Sequence, residues 1–567
     1  MKKIFVDHQQ VRGKNYNVII DDFILSKTNK KKNLINSMWD EFPKLRKDFN
    51  SVTKLKREIY IFVYKNLEKH HNTKMGETYW SIILTPWIDH LVPRIYQIWK
   101  MISSIKKNCS AEIYELEDKN FIYNNFKEAK YPENLDFNRW IISKIITYQG
   151  NFKITKKKIA VEKNFGKSSK IENVKYHLVN FLSKFFPSNK IMIDNIQIGF
   201  LNYILLSFKL RQFPFIWIEN NNYKLSPTNF DLRKKIFRIN IDKKNLSNFI
   251  KKNIIYFIPK NYLENFNSIN KAISKSYWPK KPNLILTSSS YWFSDFFKIW
   301  CAEQKAQHKS KYIITQHGGK FGTEKFISNL DTQLDLADTF VSWGWKNNKS
   351  NVLPFFSLKF SKLKKIDYLK NKKIIFCQNI YPNYFSHIDG NPFSLNEKIY
   401  KTKIANLIFE NLNKNLRKNY IIRYLESLKK NCYYFNRFLN NKILKDNGKK
   451  KFSTIIYNAR IFIHDKDSTT FLETLSYNIP TILILKKGYL NKLTDTAKKH
   501  YKILEKNKIV FTNISSASNF LNQNYHEIDK WWKKKQTQDA RSNFCEIFAK
   551  TTDNPVEETL NLIKKLQ

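Results

Sequence analysis

At 567 residues the chain exceeds one compact core, and the usual size of domains predicts two or three. Hydrophobic residues make up 42% and aromatics 15%, with 44 Phe and 30 Tyr, enough to bury and enough to exclude a disordered chain despite the many lysines. The formal charge of +52 does not point to nucleic acid: the basic residues run along the whole length, without zinc-finger spacing, an RRM-like aromatic motif or a helix-turn-helix pattern.

The chain opens on Met1 and KKIFVDHQQ, which turns polar too early for a signal peptide. No stretch approaches about eighteen uninterrupted apolar residues, so any membrane contact is expected to be peripheral. A positive surface attracts anionic headgroups and acidic substrates, so the expected location is cytoplasmic, at the inner face of the cytoplasmic membrane. Cys109, Cys301, Cys377, Cys432 and Cys545 lie far apart and form no CxxC pair, which fits a reducing compartment.

Residues 1–150 read as a short opening strand followed by a mainly helical region packed on the first domain. Apolar residues recur at helical spacing from Trp80 to Trp99, with Pro86 and Pro93 expected to break the run. Lys153 to Lys170 reads as a solvated hairpin or loop. A first Rossmann-like domain, expected to hold the acceptor, is placed at 151–360. Its strands are KIMIDN, PNLILTSSS, KYIITQHGGKFG and DTFVSWGW. After a linker between Pro354 and Lys370, a second Rossmann-like domain for the donor follows at 366–525. Its strands are KKIIFCQNI, YIIRYL, ARIFIHD, TILIL and KNKIVF, and helices close the chain at 526–567. The expected class is α/β, with two Rossmann-like domains facing a cleft.

The sharpest local signal is IFIHDKDSTTFLETLSYNIPTILIL. A strand ends at His464 and Asp465, and a helix begins near Asp467 or Ser468. Ser468, Thr469 and Thr470 bring hydroxyls to the first helical turn, whose N–H groups receive phosphate well. Glu473 lies one turn deeper on the same face, where a carboxylate accepts from ribose hydroxyls. An ordinary N-cap at Asp467 or Ser468 would also account for a polar residue there. It would not account for a cluster at the carboxyl end of a strand, where open α/β sheets bind ligands.

The second signal is TQHGGKFGTE. Gln316 and His317 end a strand, and Gly318, Gly319 and Gly322 allow close backbone approach. His317 can act as a base, donate to a phosphate or carboxylate, or satisfy nearby backbone. Lys320 and Glu324 are further candidates. Glu77, in HHNTKMGETYW, and Asp295, in SSSYWFSD, are carboxylates on the N-terminal side, and Arg423 follows the strand YII, where a guanidinium suits an anion. No HExxH and no closely spaced carboxylate pair suggests a catalytic metal.

On GETYWSIILTPW, on QHGG followed by ADTFVSWGW, on IHDKDSTTFLETLSYNIPTI and on the late WW, the chain resembles a family of transferases from surface-polysaccharide and O-antigen gene clusters, first described in spirochaetes. The matches keep their order over nearly the full length, although Thr78 stands where the family pattern has Arg before Tyr-Trp. More distantly, QHG and STTFLE resemble GT-B transferases for capsule, Kdo and sialic-acid-like sugars, and polyglycerol-phosphate polymerases.

The resemblance implies that Ser468 and Thr469 touch the donor phosphate, that Glu473 takes the ribose, and that His317 lies near the reacting sugar; Thr470, Gln316 and Gly318 are further candidates for holding the donor. It implies a nucleotide sugar as donor, leaning to a CMP-activated acidic sugar such as Kdo or a nonulosonic acid, with no separate cofactor. The implied acceptor is lipid-linked or lipopolysaccharide. Arg423 would help meet the leaving-group charge, and His317, Asp295 or Glu77 would take the acceptor proton. Two other functions compete: a CDP-polyol phosphotransferase of the polyglycerol-phosphate polymerase type, and a non-enzymatic basic adaptor or nucleic-acid-binding protein.

Overall fold

The computed structural model describes residues 2–5, 18–19, 42–105, 109–129, 134–159, 170–186, 189–221, 223–347, 349–360, 367–378, 395–424 and 439–567. Part of the expected linker (361–366), most of the lysine-rich stretch after Lys158 and Cys432 lie outside these residues.

Two long helices dominate the N-terminal region, α1 (Phe42–His71) and α2 (Gly76–Ser103). Pro86 and Pro93 lie inside α2 and do not end it, contrary to the sequence expectation. An interior proline costs about 3 kcal/mol. Burying a large apolar side chain returns about 1.5–3 kcal/mol. Trp80, Trp87, Leu91 and Ile95 are all fully buried, so tertiary packing outweighs the two breaks.

The same region also carries a parallel sheet that the sequence hid. It pairs β1 (Lys2–Phe5), β2 (Val18–Ile19), β3 (Cys109–Glu115) and β4 (Lys153–Lys158) in the order β2-β1-β3-β4. β4 is the first part of the lysine-rich segment expected to be a solvated hairpin or loop. Its backbone pairs with β3 from Ser110↔Lys153 to Glu115↔Lys158 while its lysines stay in solvent. Edge strands tolerate this charge, and it discourages further pairing.

A second parallel sheet runs in simple order from β5 (Ile191–Asp194) through β6 (Leu284–Thr287), β7 (Lys311–Thr315) and β8 (Thr339–Ser342) to β9 (Val352–Pro354). The third contains β10 (Lys373–Cys377), β11 (Tyr420–Arg423), β12 (Leu444–Asp446), β13 (Ala459–His464), β14 (Thr481–Ile484) and β15 (Val510–Phe511). Its order is β12-β11-β10-β13-β14-β15, so the winding reverses between β10 and β13. Ligands of doubly wound sheets bind at such a switch point, outside the carboxyl ends of the strands. Here Cys377 and His464 stand in register at that edge. The inner strands are apolar along their length because both faces are covered.

The last helix, Pro555–Leu566, returns to the second sheet. Val556, Leu560 and Ile563 share one core with Ile193 and Leu206, and Glu557 pairs with Lys209 at 2.6 Å. The end of the chain thereby ties the two Rossmann-like units together.

His464 closes β13 within the core, fully buried between Phe462 and Phe471, with Nε2 3.2 Å from Thr474 Oγ1. Burial pulls its imidazole down from 6.5 to about 3. Folding therefore binds fewer protons than the unfolded chain across that range, and this contribution to stability is full above pH 6.5 and lost as pH falls toward 3. His464→Gln should make the acid limb of the thermal-midpoint curve shallower over this window, as read by circular dichroism. It should not abolish the limb, because His71 and His317 are displaced in the same direction. An unchanged limb would mean that His464 is not a buried neutral group.

Candidate functional site

β7 ends at Thr315, and the chain then turns along Gln316–Glu324 toward the third sheet. Gln316 is buried, with its amide fully engaged: Oε1 accepts from Trp343 N at 3.0 Å and Trp345 Nε1 at 2.7 Å, and Nε2 donates to Gly318 O at 2.8 Å. These bonds hold the turn in place, so the amide of Gln316 shapes the loop. His317 follows, its ring edge-on to Phe321 at 5.4 Å, and its Nδ1 has no partner among the described residues. Burial first, and then the ammonium of Lys359, push this imidazole down to about 4, so it is neutral near pH 7.

The loop meets the start of the helix Thr469–Ser476. Gly319 N donates to Thr469 Oγ1 at 3.0 Å. A Cβ on Gly319 would lie 2.7 Å from the carbonyl carbon of Ser468 and 2.8 Å from Thr469 N, so the approach needs glycine. Ser468 occupies the N-cap position, but its hydroxyl makes no capping bond and instead pairs with Thr470 Oγ1 at 3.0 Å. The two strongest sequence signals, some 150 residues apart, are thus in direct contact.

Glu473 lies four residues past Thr469, roughly 6 Å further along the helix axis. It is buried, and desolvation raises its carboxyl to about 7 against the opposing pull of Lys359. Lys359, in the short turn Leu358–Phe360, thus acts on His317 and Glu473 alike. Sequence reasoning missed it, and little could have revealed it, since it is one cation among 100 Lys and Arg in a stretch read as linker.

A second missed group is Asp194, at the carboxyl end of β5. Ser290 Oγ donates to its Oδ2, Asn195 Nδ2 donates to Ser290 Oγ at 3.1 Å, and burial raises its carboxyl to about 6. β5 and β7 are two strands apart, roughly 10 Å, so Asp194 stands on the same sheet edge as His317. A carboxylate closing an apolar strand before Asn195, a residue type that tolerates the positive φ seen here, was the available signal.

Deeper in the seam, Thr323 Oγ1 donates to Asp467 Oδ2 at 2.6 Å, and Tyr489 OH donates to Glu324 Oε1 at 2.9 Å. Thr494 N donates to Thr323 O at 2.8 Å, and its hydroxyl donates to Gly322 O at 3.0 Å. Lys466 is buried here beside Lys320 and Lys401, and desolvation first and these cations next depress its ammonium. Lys320 and Glu324 therefore belong to the joint between the units.

Three expected residues are placed elsewhere. Asp295 starts a helix facing the N-terminal region, where its carboxylate pairs with Lys298 at 2.8 Å and accepts from Tyr262 OH, Phe126 N and Asn261 Nδ2. A carboxylate held by an ammonium and three donors is not available as a base. Glu77 sits at the exposed start of α2 and pairs with Arg57, whose hydrogen bond lowers the carboxyl's pKa and makes it a weaker base. Arg423 ends β11, but its guanidinium is taken by Asp446 at 2.6 Å and by Lys450 O.

The fold and site together define an α/β enzyme-like scaffold with its polar groups at the facing carboxyl edges of two parallel sheets. Residues 19–563 match the family described as LIC12162 family transferase, and the chain belongs to that family. Comparison with curated protein sequences finds no match. Among solved structures, the chain is similar at 12% identity to the wall teichoic acid polymerase TagF, with a TM-score of 0.33 over 70% of this chain and 92% of that one. It is also similar at 10% identity to MurG of Acinetobacter baumannii, with a TM-score of 0.30 over 53% of this chain and 78% of that one. For the O-GlcNAc transferase of Thermobaculum terrenum, identity is 9% and the TM-score 0.27, over 56% of this chain and 59% of that one.

Gly319→Ala should cost about 1–3 kcal/mol in urea unfolding, because the methyl meets backbone that cannot swing aside. Gly318→Ala is the control: its Cβ meets only Thr469 Oγ1, at 3.6 Å, and stability should hardly change. Equal effects would refute the close approach.

Glu473 supplies a second check. Its folded value, about 7, lies above the ordinary 4.5, so folding binds extra protons between the two. That contribution is full below 4.5 and lost as pH rises through about 7. Glu473→Gln should therefore raise the thermal midpoint above pH 7 and leave it unchanged below pH 4.5. A gain of equal size at both ends would show that burial does not act on the charge.

Proposed function

We propose that the chain is a metal-independent glycosyltransferase of the GT-B type, moving a sugar from a nucleotide donor to a surface-polysaccharide or lipid-linked acceptor. The observation that carries this reading is the contact between the His317 loop and the hydroxyl-lined start of the helix that bears Glu473. Membership of a transferase family supports group transfer.

In this reading the donor phosphate lies against the first turn of the helix Thr469–Ser476. There the N–H groups and the hydroxyls of Ser468, Thr469 and Thr470 meet its charge, with Lys359 adding a cation. Glu473 accepts from the ribose one turn deeper. His317 is neutral before the donor arrives, so Nδ1 is able to accept the proton of the acceptor hydroxyl. An arriving phosphate would raise its basicity when it is needed. Asp194, on the same edge of the second sheet, stands in place of Asp295 and Glu77, the carboxylates expected to take the acceptor proton, and orients the acceptor. Closure of the two units around the substrates would exclude water and align the reacting atoms. The donor best suited to the family resemblance is a CMP-activated acidic sugar.

The test is direct binding of CMP-, UDP-, GDP- and CDP-linked donors, with and without EDTA, by the wild type and Glu473→Ala. A CMP-sugar should bind, persist in EDTA and weaken by about 10- to 100-fold in the variant, as befits one lost hydrogen bond to a carboxylate. Preference for a CDP-polyol would make the transferred group a polyol phosphate. Loss of binding in EDTA would remove the metal-independent part, and no binding of any donor would overturn the proposal.

A further inference from the structure

Two helices present apolar faces to solvent. On the helix Lys170–Ser183 and its continuation, Val174, Leu178, Phe181 and Phe185 are spaced as one stripe, and Val174 and Phe185 are 70% and 69% exposed. The opposite side carries Tyr176, buried against Tyr277. On the helix Phe200–Lys209, Phe200, Leu201, Leu205 and Phe208 share a face, with Leu201 and Phe208 at 79% and 80% exposure. Its inner side, through Leu206, packs in the core that includes Ile563 of the last helix.

The segment after the first helix meets the segment after the second. Phe186 packs on Phe213 at 3.9 Å, and Asn189 exchanges hydrogen bonds with the backbone of Phe213, four residues beyond the second helix. Isolated exposed apolar residues need no explanation, but a row of them along each of two helices does.

We propose that this double-helix face is the surface by which the protein docks on an anionic lipid bilayer. Charge selects the occupant. Residues 170–216 contain six basic residues (Lys170, Lys175, Lys184, Lys190, Lys209 and Arg211) and two acidic ones (Glu172 and Asp194). Asp194 is hydrogen-bonded within the fold. Lys175, Lys184, Lys190 and Arg211 are exposed around the apolar stripes. Aromatic and leucine side chains inserted among headgroups, with a rim of cations at the phosphates, fit an anionic interface. A second copy of the chain would instead bring this basic rim, and a net +52 on each molecule, against its like.

The placement serves the proposed reaction, and in that respect it rests on the glycosyltransferase reading. The helix Phe200–Lys209 begins six residues after Asp194, a span of at most about 20 Å, so the docking face starts beside the acceptor edge of the second sheet. A lipid-linked acceptor would reach that edge without leaving the bilayer.

The experiment is co-sedimentation of the full chain with vesicles of phosphatidylcholine alone or mixed with phosphatidylglycerol. Wild type should partition onto the mixed vesicles, less so at high salt. Leu201→Ser/Phe208→Ser should lower the partition coefficient by at least about tenfold while the thermal midpoint is kept. Lys175→Glu/Lys184→Glu/Lys190→Glu should lose the preference for phosphatidylglycerol. Failure of wild type to bind, or equal binding by the serine variant, overturns the proposal. So does a dimer, seen by light scattering, that the serine variant dissolves. Donor binding is measured on the same samples. Its retention in the serine variant separates this face from the site, and its absence in wild type with vesicle binding intact would sink the transferase reading alone.

Discussion

The approach of Gly319 to the start of the helix Thr469–Ser476 is the constraint on which the site depends. Two parallel sheets with ligand-binding edges do not make one site unless something fixes their edges face to face. Here a single loop does so: Gly319 N donates to the side-chain Oγ1 of Thr469, and the main-chain bonds of Thr494 N to Thr323 O and Lys325 N to Lys492 O follow. Backbone contacts of this kind tolerate side-chain change but no added Cβ at the tightest point, where Ser468 is 2.7 Å from the place a methyl would occupy. Gln316 supports the loop from behind, and the last helix closes the other side of the joint.

Burial at this joint sets the ionisation of the site. His317 is driven neutral, and Glu473, Asp467 and Asp194 are all pushed toward their protonated forms, each chiefly by desolvation. These shifts are stored cost: the folded chain disfavours the charged forms that water would stabilise. A structural scaffold gains nothing from that cost, whereas a site that receives a phosphate and a sugar recovers part of it on binding. Lys359 suits this arrangement, being placed to influence the imidazole and the carboxyl together.

The sequence revealed strand ends better than it revealed partners. IFIHDKDSTT and KYIITQHGG stand out because an apolar run breaks abruptly into polar residues, which marks the ligand edge of a parallel sheet wherever it occurs. What a charged side chain does there depends on residues far along the chain. Arg423 looked suited to an anion, yet Asp446, 23 residues on, neutralises it; Asp295 looked like a base, yet Tyr262 and Phe126 surround it. The N-terminal sheet was hidden for the same reason, since β1 is four residues long and gains its partner more than 100 residues later in β3. Local propensity also misled at Pro86 and Pro93, because the burial that holds α2 together is not visible in its own sequence.

The charge and the apolar faces illustrate one distinction further. A net +52 spread over the chain is a long-range property that draws the molecule toward anionic surfaces without saying which side approaches. Orientation has to come from short-range features, and the exposed stripes on Phe200–Lys209 and Lys170–Ser183 are of that kind. The helix Phe200–Lys209 is packed on the last helix, Pro555–Leu566, which follows the second Rossmann-like unit in the chain. A load on that outer face would therefore be felt at the tie between the two units. An exposed face on the second unit would have lacked that link to the strand edge at Asp194.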